Sequence, residues 1–129
     1  MILALVIDDD PPVADATARV LRETGHRVTV CPTVDAALAA LAAVSPELVV
    51  LDLVLDRDPL ALHDALAARG VPVVLVSGVE PSRLPVVAAQ RGWLFLAKPY
   101  DGDALVEVAH RAVGRHTGEH RTIPSSITV

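Results

Sequence analysis

Four of the five short aliphatic runs in this 129-residue sequence end in polar side chains, namely Asp8 and Asp9, Asp52, Ser77, and Lys98. Carboxylates that converge at one place repel each other. At a separation of ~4 Å, each like-charged pair costs about 4 kcal/mol at an effective dielectric of 20. Such a cluster either keeps one carboxyl group protonated or holds a cation between the acids.

The types of these side chains favour phosphoryl chemistry. Oxygen ligands that are open to water suit Mg²⁺, which keeps several waters and adds a phosphate. Ser77 supplies a hydroxyl group and Lys98 a mobile positive charge with three donors. Lys98 is the only lysine, and its compact ammonium fits a small pocket that a planar guanidinium would crowd. Together these groups predict a phosphoryl-transfer site in which one aspartate is the nucleophile and forms an acyl phosphate.

The elements that must position these residues alternate along the chain. Continuous aliphatic runs predict buried strands, and apolar residues at helical spacing predict helices between them. Asp10 before Pro11 and Pro12 predicts a helix start with a carboxylate N-cap, and Thr33 caps the second helix. The expected strands are 2–7, 27–31, 48–53, 71–76 and 93–97, and the expected helices are 10–25, 33–44, 58–70, 82–91 and 101–114.

Five strand–helix units in series predict an α/β fold. Right-handed crossovers predict a doubly wound parallel sheet with helices on both faces and the polar residues at the carboxyl ends of the strands. The second strand lacks a polar end, which is consistent with an edge position in the flavodoxin-like order 2-1-3-4-5. We expect one domain over residues 1–114 and a polar, flexible tail over residues 115–129. His26, His63 and His110 fall on predicted polar positions and are expected to be solvated.

The composition excludes several classes of function. A net charge of −5 and 2% aromatic residues argue against binding of nucleic acid. No apolar run approaches the ~20 residues that span a bilayer, so no membrane insertion is expected. Cys31 is the single cysteine, which rules out an internal disulfide and fits the cytoplasm.

Four motifs, each at a predicted strand end, resemble those of the receiver domain of bacterial two-component response regulators. They are Ile7-Asp8-Asp9-Asp10, Leu51-Asp52-Leu53, Val76-Ser77-Gly78 and Ala97-Lys98-Pro99. The resemblance covers about residues 1–114 and is to a stand-alone receiver of the chemotaxis-regulator type. It implies a switch that promotes only its own phosphorylation and dephosphorylation, rather than an enzyme.

The resemblance also assigns roles at the acidic positions. Asp52 would be the phosphoacceptor and a Mg²⁺ ligand. Asp9 would bind Mg²⁺ directly, Asp8 would bind it largely through water, and the backbone carbonyl of Val54 would be a further ligand.

The remaining roles belong to the last two strands. Ser77 would bind a phosphoryl oxygen, and Lys98 would pair with the phosphoryl group next to a peptide bond to Pro99 that is usually cis in the family. Phe95 occupies the aromatic position that changes rotamer when Ser77 is drawn inward.

The resemblance implies two kinds of partner. The phosphoryl group would come from a histidine kinase or a histidine phosphotransfer protein. A downstream protein would bind the face formed by the fourth helix, fifth strand and fifth helix.

One segment departs from the family pattern and keeps an alternative open. The family has Pro and then Met-Asp-Gly after the phosphoacceptor, whereas residues 53–60 contain no glycine. This loop favours a degenerate receiver that acts as a phosphorylation-independent docking module. A hydrolase similar to haloacid dehalogenases is disfavoured, because Pro12 stands where that class has Thr or Val.

Overall fold

The computed structural model describes residues 2–78 and 86–118, in which strands and helices alternate. In chain order the elements are β1 (Leu3–Ile7), α1 (Pro11–Glu23), β2 (Arg27–Cys31), α2 (Val34–Ala43), β3 (Leu48–Asp52), α3 (Leu60–Arg69), β4 (Val73–Ser77), α4 (Val86–Arg91), β5 (Leu94–Ala97) and α5 (Gly102–Gly118).

The strands form one parallel sheet in the order β2-β1-β3-β4-β5. This confirms the predicted α/β fold and its strand order. The three central strands are almost entirely buried, as continuous aliphatic runs predict for strands covered on both faces.

Side-chain alternation along the strands divides the core into two layers. In β1, Leu5 and Ile7 pack with residues of α2, α3 and α4, whereas Ala4 and Val6 pack with residues of α1 and α5. Each layer buries one face of the sheet, which is why helices are needed on both sides. The sheet is therefore a rigid support for the residues that follow its strands.

The start of α1 differs from the prediction in one detail. Asp10 is the N-cap residue, but its side chain makes no capping hydrogen bond. Pro12 removes the N–H group at the second helical position, so one of the two usual donors to a capping carboxylate is missing. The backbone N–H of Asp10 instead donates to Oδ1 of Asp8 at 2.9 Å. The predicted N-cap position of Asp10 is confirmed, but the predicted capping by its carboxylate was wrong.

The last helix is longer than predicted. It continues past Gly114, the expected end, to Gly118, so residues 115–118 belong to the helix and not to the tail. Gly114 lacks the positive φ that ends α3 at Gly70, and a glycine inside a helix costs only about 1 kcal/mol relative to alanine. The predicted tail over residues 119–129 and the predicted start of the fourth helix near Ser82 lie outside the described residues.

A helix that crosses a lipid bilayer must be both long and apolar. None of the helices in the two described ranges combines the length and the apolar character that crossing a bilayer requires.

His63 is buried, contrary to its predicted exposure, because α3 turns residues 62, 63, 66 and 67 toward the sheet. Its ring lies edge-on to that of Trp93, with centroids 6.1 Å apart, and Nε2 has no hydrogen-bond partner among the described residues. Burial lowers the pKa of His63, and Asp64 and Asp58 only partly offset this. His26 is half-buried, and only His110 is exposed as predicted.

Protonation of His63 is expected to destabilise the fold. Because the folded-state pKa is below the ordinary 6.5, the unfolded chain binds the proton more tightly, so stability is lost as pH falls below about 6.5. One such group contributes at most about 1.4 kcal/mol per pH unit. We expect urea unfolding between pH 7.5 and 5 to show a smaller loss of stability for His63→Phe than for wild type.

A second variant at the same position provides the control. His63→Gln lacks the titrating imidazole but keeps a polar side chain, and it should behave like His63→Phe if the imidazole is responsible. Parallel curves for wild type and both His63 variants would contradict this assignment.

Candidate functional site

The register of the sheet brings the predicted site residues to one edge. Ile7 of β1 is paired with Leu51 of β3, so the following residues, Asp8 and Asp52, are neighbours. On the other side of β3, the partner of Asp52 is Val76.

Strand β4 continues this edge toward Lys98. Ser77 is the partner of Ala97, and its carbonyl accepts a hydrogen bond from the backbone N–H of Lys98 at 2.9 Å. The carboxyl ends of β1, β3, β4 and β5 therefore meet at one rim, as the strand-end pattern predicted.

The charged groups meet at short distances. Nζ of Lys98 lies 3.3 Å from Oδ2 of Asp8 and 3.4 Å from Oδ2 of Asp52. Asp8 and Asp52 are buried, with exposed fractions of 3% and 5%, whereas Asp9 is exposed. One carboxylate oxygen from each of these three aspartates lies within 4.8 Å of the others.

The two buried carboxylates are oriented in the same way. Oδ1 of Asp8 accepts from the backbone N–H of Asp10, and Oδ1 of Asp52 accepts from the backbone N–H of Val54 at 3.2 Å. Each acceptor bond spans two residues and fixes the rotamer of the carboxylate. The other oxygen, Oδ2, is left facing Lys98 in both cases.

The clearest electrostatic consequence of this arrangement is a raised pKa of the Asp52 carboxyl group. Burial and the negative charge of Asp8 raise the pKa of Asp52 from 3.8 to about 6, against the opposing effects of the Val54 N–H and Lys98. Burial acts to lower the pKa of Lys98, but the charges of Asp52 and Asp8 outweigh it, so that pKa is raised. Lys98 alone does not neutralise the pair of carboxylates.

The donor set fits a hard divalent cation. The ligand atoms available from Asp8, Asp9 and Asp52 are all carboxylate oxygens, and Asp9 is open to water. Mg²⁺ prefers such oxygen ligands and retains several waters. A cation there would also remove the repulsion that raises the pKa of Asp52.

Ser77 and Phe95, the two residues predicted to act as a switch, lie on neighbouring strands. Ser77 is buried at the end of β4, and Phe95 of β5 is the partner of Leu75, two residues before Ser77. Residues two apart on a strand share a face, so the half-buried Phe95 ring and Ser77 lie on the same side of the sheet. The peptide bond between Lys98 and Pro99 is cis, as expected.

Tyr100 is a residue of the site region that the sequence did not indicate. Its hydroxyl lies 2.5 Å from the hydroxyl of the buried Thr17 on α1, which fixes the segment after Lys98. Beside this contact is a largely apolar cleft of about 610 Å³ between α1 and the start of α5. The only sequence signal was a threonine on the predicted apolar face of α1.

The loop between β3 and α3 is the other feature that sequence alone could not describe. Oδ1 of Asp56 accepts from the backbone N–H of Val34 at 2.9 Å, and Arg57 forms an ion pair with Asp35 at 2.5 Å. The loop without glycine is therefore bound to the N-terminus of α2.

With this fold and site, the chain belongs to the response regulator receiver domain family, whose model matches residues 4–110. Receiver domains are the phosphoryl-accepting modules of two-component systems, and they bind Mg²⁺ at a cluster of aspartates. The membership of the receiver domain family that the four motifs predicted is thereby confirmed.

Two regulators illustrate the relationship. The chain is 35% identical over 115 residues to the nitrogen assimilation regulatory protein NtrX of Azorhizobium caulinodans, covering 84% of this chain and 25% of that protein. It is 34% identical over 111 residues to the C4-dicarboxylate transport transcriptional regulatory protein DctD of Rhizobium meliloti, covering 83% and 24%. The chain thus spans about a quarter of the length of these relatives.

Solved structures of receiver domains share the fold of this chain. The receiver domain of NtrX from Brucella abortus superposes with a TM-score of 0.74 at 36% identity, covering 85% of this chain and 97% of that one. A CheY-like receiver from Methanospirillum hungatei superposes with a TM-score of 0.79 at 24% identity, covering 89% of this chain and 95% of that one. At this identity, the similarity supports the fold alone.

The pKa of Asp52 can be tested directly. In magnesium-free buffer, a ¹³C NMR titration of the side-chain carboxyl should give an apparent pKa near 6 for Asp52. In Asp8→Asn, which removes the adjacent negative charge, this pKa should fall, whereas Asp103→Asn on the exposed surface of α5 should not change it. An Asp52 carboxyl that titrates near pH 4 in the wild type would contradict the electrostatic account.

Proposed function

We propose that this receiver accepts a phosphoryl group on Asp52 from a histidine kinase or a histidine phosphotransfer protein and signals through phosphorylation-dependent protein contacts. The observation that carries the proposal is the position of Lys98 Nζ, 3.3 and 3.4 Å from the oriented carboxylates of Asp8 and Asp52. A nucleophilic carboxylate beside a lysine and two further acids meets the requirements of acyl phosphate formation.

In the proposed reaction, an oxygen of the Asp52 carboxylate attacks the phosphorus atom of a phosphohistidine. A P–O bond forms, the P–N bond breaks, and the imidazole leaves as the other product. With a pKa of about 6, Asp52 is largely ionised at pH 7.5 and ready to attack. Hydrolysis of the acyl phosphate later returns the carboxylate and inorganic phosphate.

Each neighbouring group has a proposed part in this step. Asp8, Asp9, Asp52 and the Val54 carbonyl would hold Mg²⁺, which when bound neutralises charge on the phosphoryl oxygens. Lys98 exchanges its contact with the Asp52 carboxylate for one with the phosphoryl group, since Nζ already lies within reach of both acids.

The proposed signal passes from Ser77 to Phe95. The Ser77 hydroxyl would bind a phosphoryl oxygen, and the Phe95 ring, on the same side of the sheet, would move inward. This would alter the surface of α4, β5 and α5, where a downstream protein would bind. The receiver would promote no reaction but its own phosphorylation and dephosphorylation.

All the residues proposed for phosphoryl transfer lie within the described part of the chain. The proposal therefore applies equally to a single-domain regulator, as expected from the sequence, and to a longer regulator such as NtrX. A phosphodonor of this kind would place the activity in the cytoplasm.

A docking module that does not require phosphorylation is the second candidate. Two large apolar side chains favour it, since Val54 on the loop after Asp52 is 61% exposed and Leu60 at the start of α3 is 60% exposed. Binding of a partner that persists unchanged in Asp52→Asn would support this function over the first.

Phosphorylation of Asp52 is the decisive test. With acetyl phosphate and Mg²⁺, intact-mass spectrometry should record the addition of one phosphoryl group to the wild type and none to Asp52→Asn. Chelation of Mg²⁺ should abolish the addition, because the charges of the phosphodonor and the acids are then not neutralised. Lys98→Arg should retain the positive charge and still react more slowly than wild type, because the guanidinium does not fit between the two carboxylates.

The exposed acid Asp103 on α5 again serves as control, and Asp103→Asn should be phosphorylated like the wild type. Absence of a mass increase in the folded wild type, or an equal increase in Asp52→Asn, would refute the proposed acceptor.

A further inference from the structure

The loop from Leu53 to Pro59 is bound to the rest of the protein at both ends. The N–H of Leu53 donates to the carbonyl of Val76 at 3.0 Å, and the N–H of Val54 donates to Asp52. At the far end, Oδ1 of Asp58 accepts from the N–H of Leu60 as α3 begins. Asp56, between these points, bonds to a different element.

Asp56 provides a hydrogen-bond acceptor for the N-terminus of α2. The N–H of Val34 is the first of the helix and has no acceptor within it, and Val34 is fully buried. Oδ1 of Asp56 accepts this hydrogen bond at 2.9 Å. Thr33 accepts from Ala36, so the two side chains together satisfy donors that the helix leaves open.

This contact limits where the Val54 carbonyl can lie. Asp56 is two residues after Val54, and two residues of chain span at most about 7 Å. Asp52 fixes the N–H of Val54 on one side and α2 fixes Asp56 on the other. The intervening side chain of Leu55 packs against the core layer that contains α2 and α3.

We propose that Asp56 is a positioning residue that holds the Val54 carbonyl in place for Mg²⁺ by joining the loop to the N-terminus of α2. The inference rests on the proposed function, in which Val54 contributes that ligand.

The neighbouring ion pair contributes less. Arg57 and Asp35 have side chains that are 47% and 78% exposed, and pairs this open to water add little. Asp56 is itself exposed, but the donor of its hydrogen bond is the N–H of the buried Val34 at a helix N-terminus, where the helix dipole favours a carboxylate. Asp56 is therefore the residue to test.

The test is Mg²⁺ binding to the unphosphorylated full chain by isothermal titration calorimetry. Loss of a residue that orients a metal ligand typically weakens affinity by about 10-fold or more, so Asp56→Ala should bind Mg²⁺ about tenfold more weakly than wild type. Asp56→Asn keeps an acceptor oxygen but not the charge, and should remain within about twofold of wild type if the hydrogen bond is what matters.

Asp58→Ala is the matched control. It removes the same charge and a backbone hydrogen bond from the same loop, but that bond is local, to the N–H of Leu60 at the start of α3, and does not reach α2. Its Mg²⁺ affinity should equal that of wild type. The rate of phosphorylation by acetyl phosphate separates positioning from damage, because Asp56→Ala should reach the wild-type rate at saturating Mg²⁺ and be slow only at low Mg²⁺.

The outcomes distinguish this inference from the proposed function. If the wild type binds Mg²⁺ and is phosphorylated, but Asp56→Ala binds equally well or Asp58→Ala loses as much, the positioning role is wrong and the function stands. A wild type that binds no Mg²⁺ overturns both. A reduced rate of Asp56→Ala that saturating Mg²⁺ does not restore also overturns the positioning role.

Discussion

The burial of two carboxylates beside each other is the constraint on which the rest of the site depends, because loss of water and mutual repulsion both disfavour the charged form of Asp52. Asp8 and Asp52 lie side by side at the rim of the sheet, and Lys98 contacts both without neutralising both. The rise of the Asp52 pKa from 3.8 to about 6 corresponds to about 3 kcal/mol of folding free energy lost at neutral pH. A divalent cation would supply the positive charge that these carboxylates lack, and it would also bind a phosphoryl group. The loss of stability and the capacity for phosphoryl chemistry therefore come from the same carboxylates.

The fold tolerates this loss of stability because the strands and helices around the site are closely packed. The central strands are buried on both faces, and their parallel register fixes which strand ends are adjacent. Backbone N–H groups then hold one oxygen of each buried carboxylate and turn the other toward Lys98. The loop after Asp52 adds a contact across 22 positions of sequence to Val34, which joins the site to a helix that contributes no ligand.

Sequence patterns predicted the fold and the members of the site because both follow from local rules. Uninterrupted aliphatic runs identify buried parallel strands, and a polar residue at each strand end identifies the rim. The failures involve contacts that no local rule contains. Asp10 occupies the N-cap position without a side-chain cap, and Pro12 removes one of the two usual donors, whereas His63 is buried because the start of α3 turns that side toward the sheet. The bond between Asp56 and Val34 depends on the path of a whole loop. The roles assigned to individual site residues remain predictions.

If the site works in this way, the charged Asp52 carboxylate destabilises the fold until a cation relieves it. The most direct measurement is chemical unfolding of wild type and Asp52→Asn at pH 7.5, with and without Mg²⁺. Without Mg²⁺, Asp52→Asn should be more stable than wild type by up to about 3 kcal/mol. Mg²⁺ should stabilise the wild type more than the variant, because only the wild type retains the full ligand set, and so narrow the difference. An Asp52→Asn variant that is less stable than wild type in magnesium-free buffer would contradict the account.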